Sequence, residues 1–150
     1  MSLFSGNDAA RLLDLLNREL EAFGRIRELA EEQTELIAED DIEAFDKSLD
    51  RSQEIIEKIN GLHQESDSLM QSYMSSVNAG GRDGRIDAAA EQLRGAIAEC
   101  AAMNEKNINS AKERTGEYTK RIGELSLSRK SLGSYMNNTL NNSEIFDKMT

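Results

Sequence analysis

The sequence predicts an all-α fold, an elongated antiparallel bundle of three long helices with a short C-terminal helical segment, and three observations carry that prediction. The 150 residues include no proline, so no helix is forced to break through a missing backbone donor. Apolar residues recur at steps of three and four along three long stretches. Only an acidic cluster, Glu39-Asp40-Asp41, and a glycine-rich stretch, Asn78 to Arg85, interrupt that stepping.

The first stretch runs from Asn7 to Glu39 and carries Leu13, Leu16, Leu20, Phe23, Ile26, Leu29, Leu36 and Ile37 on one stripe. Asn7 or Asp8 is the expected cap, because a short polar side chain there accepts from an orphan backbone N–H. At Glu39-Asp40-Asp41 the stripe loses phase, and Asp40 with Glu43 reads as a capping box that opens a second helix. Acids oppose the dipole at a helix C-terminus and favour it at an N-terminus, so a tight turn fits better here than one continuous rod.

The second helix has the most regular pattern. Ile42, Phe45, Leu49, Ser52, Ile56, Ile59, His63, Ser66, Met70, Tyr73 and Val77 form a heptad seam, and Ile55, Leu62 and Leu69 widen it. Such a broad stripe predicts a helix packed against two neighbours. After the loop from Asn78 to Arg85, the stepping resumes at Ile86, Ala90, Leu93, Ile97, Cys100, Asn104, Asn107, Ala111, Thr115, Tyr118, Ile122 and Leu125, the third helix. Short connections make successive helices antiparallel, so a rod is expected.

Beyond Leu125 serine and asparagine dilute the charge, yet Leu132, Tyr135, Met136, Leu140, Ile145, Phe146 and Met149 persist. A plain disordered tail would not keep such side chains. Residues 126–150 are therefore expected to be a binding segment of the same domain as the bundle of residues 1–125. Ordering them requires a surface, either the bundle itself or a partner. Leu132, Tyr135, Met136, Leu140, Ile145 and Phe146 are the expected partner contacts.

Composition narrows the function classes. A net charge of −10 with no basic stretch disfavours nucleic acid and anionic lipid as partners. No apolar run spans a bilayer and the N-terminus lacks a signal-peptide layout, so a cytoplasmic location is expected. The single cysteine, Cys100, agrees with a reducing compartment. A bundle metal site needs Glu-x-x-His pairs, and the only histidine, His63, has no glutamate three residues before it. His63 and Cys100 read as packing residues, and the glycine stretch, which follows a helix and lacks Gly-Lys-Ser/Thr, reads as a turn. No cofactor, metal or catalytic constellation is expected, and the chain reads as a protein-binding protein, not an enzyme. Asn104 and Asn107 on the third seam either fix register or mark a stretch covered by a partner. The acidic residues from Glu31 to Asp41 read as a solvated face.

Leu29-x-x-x-Gln33-x-x-Leu36-Ile37 running into Asp40-Asp41, then Phe45, Leu49, Ile55, Ile56, Ile59 and Leu62, together with Asn104, Asn107, Gly133 and Tyr135, resemble the FlgN-type flagellar export chaperones. The resemblance covers the chain from Leu13 to Tyr135; here Gly133 precedes the tyrosine, whereas the family usually has a glycine after it. It implies a cytosolic chaperone of the flagellar type III secretion group. Such a protein holds the C-terminal helical region of hook-filament junction proteins, the hook-associated proteins, and brings them to export-gate components. The competing expectation is a structural coiled-coil or adaptor protein that self-associates, because heptads alone fit closure within one chain or across a homodimer equally well.

Overall fold

The structure, a computed structural model, describes residues 4–114, and these form three α-helices with no strand: α1 (Gly6–Glu39), α2 (Ile42–Asn78) and α3 (Gly84–Arg114). The expected continuation of the third helix to Leu125 and the segment 126–150 lie outside the described residues. At 1.5 Å rise per residue, α2 is about 55 Å long.

The caps differ from expectation by one or two residues. Ser5 opens α1, its hydroxyl accepting from the Asp8 N–H at 3.1 Å while Asp8 Oδ2 accepts from the Ser5 N–H at 3.0 Å. This is a full capping box, in which Asp8 is the reciprocal partner and not the cap. At the first turn Asp40 does not open α2. It adopts the left-handed conformation (φ 60°, ψ 33°) and ends α1, with the Asp41 N–H bonded to the Leu36 carbonyl and the Asp40 N–H to that of Ile37. Asp41 then caps α2 by accepting from the Ala44 N–H at 3.1 Å. Consecutive acids thus divide the labour: a Schellman closure needs one left-handed residue, and the next is free to cap. The end of α2 closes the same way, with Gly80 at φ 97° and the Gly81 N–H on the Ser76 carbonyl at 2.8 Å. The left-handed backbone at Gly80 favours glycine there, whereas a β-carbon on Gly81 would meet the rotatable Ser76 Oγ at 2.7 Å. The loop is shorter than the glycine pattern suggests, and α3 starts at Gly84.

Contacts across the helices give the register. Cys100 Sγ lies 3.3 Å from the Phe23 carbonyl, and Asn107 Nδ2 donates to the Ala30 carbonyl at 3.0 Å. Both members of the pair advance by one heptad, so α3 runs parallel to α1. Gln33 instead bonds Ser48 and Ser52, while Glu19 bonds Ser66, so α2 runs antiparallel to α1. The order is up, down, up.

Helix α1 is the common neighbour: it packs closely along both α2 and α3, which approach each other far less closely. The expectation that α2 packs against two neighbours is met along α1 and only marginally against α3. Phe45, Leu49, Ile56, Ile59, Met70, Tyr73 and Val77 are buried as the seam predicts, but Ile55, Leu62 and Leu69 stay half-buried. On α1 the centre of the stripe shifts, because two partners at different angles must be served. Leu12, Leu15, Ala22 and Ala30 are buried with Leu16, Phe23, Ile26, Leu29 and Ile37, whereas Leu13, Leu20 and Leu36 are half-buried. One continuous core joins all three helices, and each fully buried Leu, Ile or Phe contributes about 1.5 to 3 kcal/mol of transfer free energy.

Candidate functional site

The partner contacts expected from sequence, Leu132, Tyr135, Met136, Leu140, Ile145 and Phe146, lie outside the described residues. Register nevertheless locates the last described residue before them. With Asn107 level with Ala30, the last described residue of α3, Arg114, stands level with Ile37. That is the end of the bundle that carries the exposed acidic turn Glu39-Asp40-Asp41.

The interior holds three polar layers. In the first, Gln33, 6% exposed, donates to Ser48 Oγ at 3.1 Å and Ser52 Oγ at 2.9 Å across the α1–α2 interface. In the second, Asn107 is buried, donates to the Ala30 carbonyl and accepts from Thr34 Oγ1 at 2.6 Å. Asn107 thus fixes register, as one of the two sequence readings holds; Asn104 is half-buried. In the third, Glu19 is fully buried, with Oε1 accepting from Ser66 Oγ at 2.7 Å and His63 Nδ1 3.8 Å away. Glu19 Oε2 has no hydrogen-bond partner among the described residues. The sequence stepping overlooked Glu19 and Gln33, although Leu12, Glu19, Ile26 and Gln33 form one heptad row, the signal that places both inside.

Cys100 is buried, and desolvation, reinforced by the charge of Glu99, pushes its thiol pKa up to about 12. A thiol held protonated in this way is a poor nucleophile. Among the described residues, no group of three or more His, Cys, Asp or Glu is arranged to hold a metal ion. No described helix is long and apolar enough to cross a membrane.

At the opposite end, the α2–α3 loop is fastened to the core by Tyr73. Its hydroxyl accepts from the Asp83 N–H at 2.9 Å and lies 3.0 Å from the Asp83 carbonyl and 2.8 Å from Asp87 Oδ1. Arg82 pairs with Asp87 at 2.7 Å, and the Phe4 ring tilts against Tyr73 with centroids 5.4 Å apart. Burial, opposed by the Asp83 backbone bond and reinforced by Asp87, pushes the Tyr73 pKa up to about 12.

One surface stands apart from these internal features. A shallow groove follows α1 and α2, with Ala22, Leu29, Ile55 and Leu62 on its floor and Arg18, Arg25, Arg51 and Lys58 among the charges on its rim. Its two halves hold about 520 and about 260 Å³ and share Arg25, Ile55 and Lys58, which mark its centre. Phe23, Arg27, Ala30 and Thr34 face α3. At about 100° per residue, Arg18, Arg25, Glu28 and Glu32 fall about 180° from them, so the groove lies on the side of α1 turned away from α3.

No curated protein and no solved structure matches the chain. The family model described as FlgN protein matches residues 1–130, which spans all three helices and continues past Arg114. The chain belongs to the FlgN family of flagellar export chaperones.

Proposed function

We propose that this protein is a cytoplasmic chaperone that binds the C-terminal helical region of hook-filament junction proteins and delivers them to the export apparatus. The family membership over residues 1–130 carries this reading. Contact with the client falls to the segment after Leu125, through Leu132, Tyr135, Met136, Leu140, Ile145 and Phe146. Unbranched methionine and leucine side chains suit a surface that adapts to helical clients of differing sequence. Burial supports the assignment, because among the described residues the seams of α1, α2 and α3 are largely occupied within a single chain. A self-associating coiled coil would need them open, so the chaperone reading is favoured over the structural one. The interior of the bundle contributes rigidity, and its polar layers hold the helices in one register.

The test is a pull-down with a purified hook-filament junction protein and a chain carrying Leu140→Ser, Ile145→Ser and Phe146→Ser together. Retention of the client by the wild-type chain and its loss by the triple variant, with helical circular dichroism unchanged, is the expected outcome. Equal retention by both would remove the segment from the client interface.

A further inference from the structure

The groove between α1 and α2 lies away from α3, and the described residues leave it uncovered. Its apolar floor continues the half-buried row Ile55, Leu62 and Leu69, which is why α2 carries a wider stripe than contact with α1 requires. From Arg18 to Glu32 it runs about 21 Å, at 1.5 Å per residue. Separate proteins that associate stably bury about 800 Å² on each partner, more than one short groove of this kind offers. A segment tethered to the same chain needs far less, because its effective concentration is on the order of millimolar.

The chain supplies such a segment at the right end. Arg114 stands level with Ile37, at the same end of the bundle as the Glu32 and Arg51 mouth of the groove but across α1 from it, and residues 115–150 follow it. Even at the helical rise, 36 residues reach about 54 Å, more than twice the groove. The rim as a whole is neutral, with Glu21, Glu28, Glu32 and Glu54 beside Arg18, Arg25, Arg51 and Lys58. Its centre, however, holds half-buried Ile55 with Arg25 and Lys58, neither of which has an ion-pair partner among the described residues. Near the C-terminus, Ile145 and Phe146 are flanked by Glu144 and Asp147, an apolar pair between two acids whose complement is the Arg25–Ile55–Lys58 centre of the groove and not its rim as a whole.

We propose that the α1–α2 groove seats the chain's own segment Leu140–Met149 when no client is bound, with Ile145 and Phe146 over Ile55 and Leu62 and with Glu144 and Asp147 toward Arg25 and Lys58. Resting on the client-binding reading above, this makes groove and client competitors for the same side chains. The free chaperone then shields its adhesive segment, and client affinity is reduced by the fraction of time the segment is docked.

Amide hydrogen exchange of the full-length chain without client tests the docking directly, and calorimetric titration with a junction protein tests the competition. Residues 140–149 should be protected in the wild-type chain. Ile55→Asp with Leu62→Asp should lower that protection by about tenfold or more, since one apolar contact of this size is worth at least that factor. The same double variant should bind the client more tightly. Phe146→Asp leaves the helices of the bundle untouched, guards against misfolding of the double variant, and should lower protection equally. Absence of protection in the wild-type chain, protection unchanged by either variant, or protection that vanishes on dilution as for a second copy, would overturn the proposal. Protection lost as expected, but with no client binding by any form, would retain the docking and reject the client reading.

Discussion

Replacing Glu19 by methionine should stabilise the protein, an unusual expectation for a fully buried residue. Its side chain has no solvent exposure, one carboxyl oxygen accepts from Ser66 Oγ at 2.7 Å with His63 Nδ1 3.8 Å away, and the other has no partner among the described residues. A carboxyl group removed from water with half its acceptor capacity unmet carries a desolvation cost that its bonds only partly offset. Methionine has a similar length and fills the same space without the polar demand. Exchanging a whole buried ionic group for well-packed apolar ones is neutral to favourable by about 1 to 4 kcal/mol. Because Ser66 Oγ keeps the His63 carbonyl and the His63 ring keeps some contact with water, Glu19→Met strands no buried donor, and a gain of about 1 to 2 kcal/mol is expected. That gain raises the midpoint of thermal unfolding by about 3 to 8 °C for a chain of this size. Ser66 makes the reasoning sharper. Ser66→Ala removes the closest donor to Glu19 and should cost about 1.5 to 3 kcal/mol in the wild-type background, as for hydrogen bonds to charged groups. In the Glu19→Met background it should cost close to nothing, because Ser66 Oγ keeps only its 3.3 Å contact with the His63 carbonyl on the same helix. Urea denaturation followed by circular dichroism on the four chains of this cycle measures both effects. A Glu19→Met chain destabilised by more than about 1 kcal/mol, or an equal cost of Ser66→Ala in both backgrounds, would refute the reasoning.

Two further outcomes follow from the turn at the other end of the bundle. Tyr73 has a folded pKa of about 12 against 10.0 for the free side chain, so its neutral form is favoured by folding. The associated stability is fully present below pH 10 and falls as pH rises toward 12. In Tyr73→Phe that part of the alkaline loss disappears, and stability at neutral pH drops by about 1 to 2 kcal/mol through the unfilled partners Asp83 and Asp87. Paired urea titrations across the alkaline range check both, and identical alkaline slopes in the two chains would contradict the assignment. Gly80→Ala, at φ 97°, should cost about 1 to 2 kcal/mol by forcing a β-carbon into the left-handed region, measured by thermal unfolding. No loss would mean that the Schellman closure of α2 contributes little.

Much of this was legible in the sequence because helical periodicity responds to burial directly. The seam from Phe45 to Val77 is inside wherever its residues are apolar, and the positions of both turns were marked by acids and glycines. What periodicity does not carry is direction. Leu13, Leu20 and Leu36 step as well as Leu12, Leu15 and Ala22 do, and only the placement of α2 and α3 around α1 decides which row faces inward. The caps slipped by one or two residues for a similar reason: Asp40 and Asp41 are chemically equal, and the left-handed backbone of Asp40 separates their roles. Glu19 and Gln33 were overlooked because polarity argues for the surface, whereas cross-helix bonds to Ser66, Ser48 and Ser52 reverse that argument. Ile55, Leu62 and Leu69 were visible as a broad stripe, but whether α3 covers them depends on an angle between helices.

Titration calorimetry of a hook-filament junction protein against the full chain and against a chain ending at Leu125 tests the central claim most directly. Both chains should show strong helical circular dichroism, the full chain should bind, and the shortened one should show no measurable heat of binding. Client affinity unchanged by the truncation would contradict the claim and move the interface onto the three helices themselves.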